Sequence, residues 1–221
     1  MTLEDPVEYP LGMIRQTSLN DAVRLDFAGG VRALLRQDPD IVLIGEIRDE
    51  DTAAMAFRAA MTGHQVFSTL HTNSALGAIP RLADMGVKPE IMVGNLIGIL
   101  AQRLVRRLRA DCREAYTPGP QERAVLGLAP AAAVVLYRVA EACRHSAHHG
   151  YEGRTAVMEV LRIDRELDAL IGCAATLDEL QTAAAGHGFQ TLAAAAVRLV
   201  LAGVTSLDEV SRAIDLTAAL R

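Results

Sequence analysis

The chain has 221 residues, of which 51% are hydrophobic and 22% are charged, and its formal net charge at pH 7 is −5. This composition is typical of a folded globular protein and excludes a disordered chain. The acidic balance argues against a nucleic-acid-binding protein. The first residues carry no basic and apolar leader, and no apolar run is long enough to span a bilayer, so we expect a cytoplasmic location.

Strand and helix patterns alternate through the first 81 residues. The predicted strands are Thr2-Leu3, residues 41–44 and residues 66–70. The first predicted helix covers residues 27–35 and is closed by Asp38-Pro39. The second covers residues 52–61, with Asp49 or Asp51 as its N-terminal cap and Thr62-Gly63 at its end. This alternation predicts an α/β fold, with a parallel sheet and helices on its faces.

After Arg81 the pattern becomes mostly helical. Residues 79–87, 88–108 and 155–221 are predicted as helical, with capping boxes at Thr176/Glu179 and Ser206/Glu209. Residues 110–153 are predicted as an irregular insert. We therefore predict two domains: residues 1–81 form the α/β part, and residues 82–221 form a helical subdomain that contains the insert.

A basic cluster lies near the end of one predicted helix. Its members are Arg103, Arg106, Arg107 and Arg109. Their spacing would place them on one helix face, where they would favourably oppose the dipole at the helix C-terminus or approach an anionic lipid surface. The first of these interpretations is favoured.

Acidic and histidine side chains follow each predicted strand of the α/β part. Glu4 and Asp5 follow the first strand, Glu46 follows the second and His71 follows the third. Ligands of parallel sheets bind at the carboxyl ends of strands, so these groups predict a site for phosphoryl transfer. Each alone is more often a helix cap or a solvated turn. A metal-dependent hydrolase built on His64, His71 and Glu46 is an alternative, but the seven-residue gap between the histidines matches no helical metal motif.

Three long motifs occur in order: "TLEDPVEY" at residues 2–9, "LRQDPDIVLIGEIRDEDTA" at residues 35–53 and "TGHQVFSTLHTNSA" at residues 62–75. They resemble the Asp box, Walker B motif and His box of the secretion ATPase family that drives type II secretion and type IV pilus assembly. The resemblance implies a RecA-like parallel sheet core followed by a mostly helical C-terminal subdomain. It also implies ATP and Mg²⁺ as cofactors, a homo-hexamer, and an inner-membrane platform protein as partner, with no nucleic acid.

The resemblance also implies roles for individual residues. Glu4 would polarise the attacking water, and Glu46 would act on Mg²⁺ through water. His71 would contact the γ-phosphate. The remaining cofactor-site positions are Asp5, which would support Glu4, Glu8 in the Asp box, His64 in the His box, and Arg48, which would contact nucleotide or tie the helix to the strand.

The chain departs from the family pattern because it contains no G-x-x-x-x-G-K-[ST] motif, the phosphate-binding loop called the P-loop. We therefore expect an N-terminally truncated form that does not hydrolyse ATP alone. The alternative is a non-catalytic module that assembles into the same machinery.

A second departure concerns cysteines. Many family members bind zinc through two CxxC pairs in the insert, and here each pair keeps one cysteine, Cys112 or Cys143. The favoured interpretation is a degenerate site without metal; the alternative is zinc held with His145, His148 or His149 as substitute ligands. With three cysteines in a cytoplasmic chain, disulfide bonds are not expected.

Overall fold

A computed structural model describes residues 1–19, 26–130, 132–143 and 148–216. The chain divides into two compact units. The first comprises Met1–Ile99 and Arg162–Ala184, and the second comprises Leu100–Leu161 and Ala185–Arg221. The boundary predicted after Arg81 therefore differs from this division, because residues 82–99 and 162–184 pack with the α/β part.

The first unit contains a four-stranded sheet. Its strands are β1 (Thr2–Glu4), β2 (Gln16–Ser18), β3 (Ile41–Ile44) and β4 (Gln65–Ser68), in the order β2-β1-β3-β4. All three neighbouring pairs are parallel. The carboxyl ends of all four strands therefore lie along one edge of the sheet, as the alternation of strands and helices predicted.

Two amphipathic helices cover one face of this sheet. They are α1 (Phe27–Leu34) and α2 (Glu50–Met61), and the side chains of Asp26 and Asp49 accept hydrogen bonds from their first turns. Leu3, Val42 and Ile44 are fully buried beneath them. The opposite face keeps large apolar side chains exposed, with 53% of Ile41, 37% of Leu43 and 52% of Phe67 accessible.

Further helices complete the first unit. They are α3 (Ala78–Asp84), α4 (Pro89–Met92), α6 (Arg165–Gly172) and the start of α7 (Leu177–Gly186). The predicted capping box begins α7: the Thr176 N–H donates to Glu179 over 2.8 Å, and the Glu179 N–H is 3.4 Å from the Thr176 hydroxyl.

The second unit is built on two small sheets with helices beside them. One sheet pairs β5 (Gly98–Leu108) with β8 (Tyr151–Arg162), and the other pairs β6 (Arg113–Tyr116) with β7 (Leu136–Val139). Its helices are α5 (Pro120–Val125), α8 (Leu192–Leu201) and α9 (Leu207–Ala213). The predicted irregular insert therefore contains regular structure.

Two of the predicted helical segments are wrong in part. Residues 98–108 form β5, and residues 155–162 belong to β8, which begins inside the predicted insert. In β5 the buried residues Ala101 and Val105 are four positions apart. Residues four apart lie on the same face both of a helix, which has about 3.6 residues per turn, and of a strand, whose side chains alternate with a period of two. Single-chain periodicity cannot separate these two alternatives.

The basic cluster does not form a helix face, because its members lie on β5 and just beyond it. Arg106 forms an ion pair with Glu209, and Arg109 forms one with Asp111. The predicted interaction with a helix dipole is therefore wrong.

Along the described part of the chain, no helix has the length and hydropathy that a membrane span requires.

Candidate active site at the strand ends

Glu4 and Glu46 lie at the carboxyl ends of two neighbouring strands. The register pairs Leu3 with Ile44, so Glu4 lies beside Gly45, the residue before Glu46. Gly45 permits close approach, because an added Cβ would lie 3.1 Å from the Leu3 carbonyl oxygen and 3.3 Å from the Glu4 Cα. The glycine before Glu46 thus lets the two strand ends converge.

Four side chains form a continuous polar chain across this edge: Asp5, Arg48, Glu46 and His71. The Arg48 guanidinium donates to Asp5 over 3.3 Å and forms an ion pair with Oε1 of Glu46. Nε2 of His71 is 3.1 Å from Oε2 of Glu46. Both carboxylate oxygens of Glu46 therefore have protein partners, and Arg48 bridges the ends of β1 and β3.

These contacts hold Glu46 in its ionised form. The hydrogen bond from Arg48, followed by that from His71, lowers the pKa of the Glu46 carboxyl against the opposing effect of burial. The side chain of Glu46 is 16% exposed, whereas that of His71 is 87% exposed. His71 is therefore free to rotate away from Glu46 at little cost, while Arg48 keeps Oε1 anchored.

The backbone of Glu46 is fixed from the adjacent strand end. The Thr69 hydroxyl donates to the Gly45 carbonyl over 2.7 Å. The Thr69 carbonyl accepts from the Ile47 N–H over 3.0 Å. Thr69 therefore forms hydrogen bonds with the residues on both sides of Glu46, a role that was not predicted from the sequence.

Glu4 is held by a separate set of contacts. The Thr2 hydroxyl and the Gln16 amide both donate to its Oε1. These two hydrogen bonds, that from Thr2 first, lower the pKa of the Glu4 carboxyl. Glu4 is thus an anion suited to accept a hydrogen bond from water.

Two predicted cofactor-site residues lie apart from this group. His64 precedes β4 and so lies at the amino end of the sheet, where its Nδ1 is 3.0 Å from the Ala59 carbonyl at the end of α2. His64 and His71 are at opposite ends of β4, which contradicts the metal site proposed from them and Glu46. Glu8 is exposed in the loop between β1 and β2, and among the described residues it has no hydrogen-bond or ion-pair partner.

The cysteines expected to be free are joined by a disulfide between Cys112 and Cys143. The β6–β7 register pairs Arg113 with Val139, and the Ala140 N–H donates to the Cys112 carbonyl over 2.8 Å. The antiparallel pairing of β6 with β7 therefore brings the two cysteines together, and the expectation of no disulfide is corrected. In the described ranges no three metal-ligating side chains converge, and His145 lies outside them.

We expect one reactive thiol, from the exposed Cys173, in denatured protein that has not been reduced, and three after reduction. The disulfide blocks the other two sulfur atoms. Mass spectrometry after maleimide labelling counts the thiols. Three labels without reductant, or about one zinc per chain in protein purified without a His tag, would contradict the disulfide.

Comparison with known proteins gives consistent matches. The family model described as type II/IV secretion system protein matches residues 1–212. The type II secretion system protein E of Pseudomonas aeruginosa is 47% identical over 96% of this chain and 42% of its own length. The type IV pilus assembly ATPase TfpB of Acinetobacter baylyi is 44% identical over 98% of this chain and 37% of its own length.

A solved structure shares the fold. The crystal structure of the pilus retraction motor PilT with bound ADP superposes with a TM-score of 0.67 at 26% identity, covering 96% of this chain and 51% of that one. The parallel sheet, its helices and this neighbour define a RecA-like α/β fold of the ATPase class. The chain belongs to the type II/IV secretion system protein family. It spans about two fifths of the length of the curated relatives it matches.

Proposed function

We propose that this chain forms the part of a secretion or pilus-assembly ATPase that supplies the acidic and histidine groups of a Mg²⁺-ATP site. The observation that carries the proposal is the contact between Glu46 and His71 at the carboxyl ends of β3 and β4, with Glu4 at the carboxyl end of the neighbouring strand β1. Neighbouring ends of parallel strands are where α/β proteins place their ligands.

The donor set fits the cofactor. Carboxylate oxygens suit Mg²⁺, which keeps several waters and takes few protein ligands. Glu46 would hold the ion through water, and Mg²⁺, when bound, neutralises charge on the phosphate oxygens. Glu4 orients the attacking water. His71 leaves Oε2 of Glu46 and donates to the terminal phosphate, while Arg48 keeps the carboxylate in place.

Phosphate-binding donors are the missing component. The 221 residues contain no P-loop motif, and Lys88 is the single lysine. Each charge-assisted hydrogen bond to phosphate contributes about 1.5–3 kcal/mol, so binding without several of them is weak. These residues alone do not hydrolyse ATP, and a polypeptide that carries a P-loop completes the site.

Family membership supports a proposal for the setting of this activity. The complete ATPase is a homo-hexamer at the cytoplasmic side of the inner membrane, where hydrolysis acts on a membrane platform protein. The output is protein secretion or pilus assembly, in keeping with the names of the two relatives.

We expect Mg²⁺-ATP to bind the isolated chain with a dissociation constant of about 1 mM by calorimetry. Glu46→Gln or His71→Ala should each weaken binding at least about tenfold, since each removes one charge-assisted contact worth about 1.5 kcal/mol or more. Glu90→Gln and His148→Ala are matched controls at exposed positions outside the strand-end cluster, and they should bind as the unmodified chain does.

The outcomes separate the two candidate functions. A folded chain that binds no Mg²⁺-ATP would support a non-catalytic assembly module of the same machinery, an alternative favoured by the protein partners on both Glu46 oxygens. ATP turnover by the chain alone, abolished in Glu46→Gln, would instead overturn the need for a P-loop.

A further inference from the structure

Gln16 contacts three different parts of the first residues of the chain. It lies on β2 directly beside Thr2 of β1, and Glu4 is two residues further along β1. Side chains two apart on a strand share a face, so Thr2, Gln16 and Glu4 project to the same side of the sheet. A diagonal neighbour on the adjacent strand is within reach of a long side chain.

The amide of Gln16 makes three contacts with different parts of the chain. Its Nε2 donates to Oε1 of Glu4 over 3.0 Å and to the Tyr9 carbonyl over 3.2 Å, and its Oε1 accepts from the Leu11 N–H. The opposite amide orientation would set oxygen against oxygen at Glu4 and Tyr9. All three partners therefore select one orientation of Gln16.

Both anchors of Glu4 fall on the same oxygen. Thr2 and Gln16 donate to Oε1, and Oε2 has no hydrogen-bond partner among the described residues. A carboxylate fixed through one oxygen presents the other in a defined direction. Glu4 is only partly buried, so Oε2 remains accessible to a water molecule.

We propose that Gln16 is a positioning residue for Glu4: with Thr2 it fixes Oε1, so that Oε2 is presented for the attacking water. The same amide also bonds to the backbone of Tyr9 and Leu11 in the loop between β1 and β2. The conformation of this loop is therefore coupled to the orientation of the Glu4 side chain. The inference rests on the proposed function, in which Glu4 orients that water.

The test compares the chain with Gln16→Met, which keeps the side-chain length and removes every polar contact. The matched control is Gln65→Met, at an exposed position on β4. In chain labelled with ¹³C-glutamate, with Glu4→Gln to assign the signal, Gln16→Met should raise the pKa of Glu4 toward its ordinary value. Three-bond couplings of Glu4 should change from one dominant rotamer to averaged values.

A second readout and a second variant keep the test decisive. The Leu11 amide should exchange its hydrogen at least about tenfold faster in Gln16→Met, because it loses its acceptor. Thr2→Val removes the other anchor and should also average the Glu4 rotamer, which covers the case in which Gln16→Met does not fold. An unchanged pKa and rotamer of Glu4 in a folded variant would overturn the proposal. Because none of these readouts needs nucleotide, a failure of the proposed function appears separately in the binding of Mg²⁺-ATP.

Discussion

Gly45→Val is expected to lower the free energy of unfolding of the first unit by about 3 kcal/mol, the upper part of the range for overpacking. The added Cβ would lie 3.1 Å from the Leu3 carbonyl oxygen and 3.3 Å from the Glu4 Cα. Both atoms belong to the backbone of β1, so no side-chain rotation relieves the contact. The backbone of β1 beside Gly45 must therefore shift by a few tenths of an ångström, which strains its pairing with β3 next to Glu4 and Glu46.

Hydrogen exchange with mass spectrometry measures this effect within the first unit. Peptides covering β1 and β3 should lose protection, and binding of Mg²⁺-ATP should fall with them. Gly12→Val is the matched control, since no atom lies within 4 Å of its added Cβ, and its stability should change by about 0.5 kcal/mol or less. Equal protection of β1 and β3 in Gly45→Val and in the unmodified chain would show that the strands are not in close contact.

Glu209→Ala is expected to destabilise the second unit by about 3 kcal/mol, the lower end of the cost of breaking a buried ion pair. Glu209 is 8% exposed. It accepts from the Arg106 backbone N–H over 3.0 Å and from the Arg106 guanidinium. That guanidinium also lies 4.2 Å from the centroid of the Tyr151 ring. The cost lies at this lower end because the Arg106 side chain is 38% exposed, so solvent stabilises its charge once Glu209 is removed.

The contact between Arg106 and Glu209 should also make the stability of the second unit depend on pH. The hydrogen bond from Arg106 lowers the pKa of the Glu209 carboxyl. A group with a depressed folded-state pKa stabilises the protein above its unfolded value of about 4.3, and this stabilisation is lost as the pH falls below that value. Glu209→Gln should therefore lose less stability than the unmodified chain on acidification through this range.

Urea unfolding followed by near-ultraviolet circular dichroism suits this measurement, because Tyr116, Tyr137 and Tyr151, three of the four tyrosines, lie in the second unit. Asp208→Asn is the control, since Asp208 is the exposed neighbour of Glu209 on α9. If Glu209→Ala and Asp208→Asn unfold at the same urea concentration, the Arg106 contact contributes no stability.

The sequence predicts best what local chemistry decides. The strand at Ile41–Ile44 and the Asp49 cap of α2 are as predicted, because an apolar run and a capping side chain act over a few residues. The meeting of Glu46 and His71 also follows from local information, since residues after neighbouring parallel strands share an edge. The same rule predicts that His64 lies at the opposite edge of the sheet, because His64 precedes β4 and does not follow it.

Contacts that depend on register were not predictable from the sequence. Gln16 reaches Glu4 only because β2 pairs with β1 in one particular alignment. Cys112 meets Cys143 through the antiparallel pairing of β6 with β7, whose register the sequence does not specify. Ser206 caps α9 as predicted, but the side chain of Glu209 turns to Arg106 instead of completing the capping box. That choice depends on a residue more than 100 positions away.

The most direct test of the strand-end site is an NMR titration of the isolated chain with Mg²⁺-ATP. We expect the largest shifts at the His71 imidazole and at the backbone amides of Glu4, Glu46 and Arg48. His64 provides an internal control, since it lies at the opposite end of β4 and should shift little. Shifts centred on His64 or on the second unit would contradict the assignment of the nucleotide site to the carboxyl edge of the sheet.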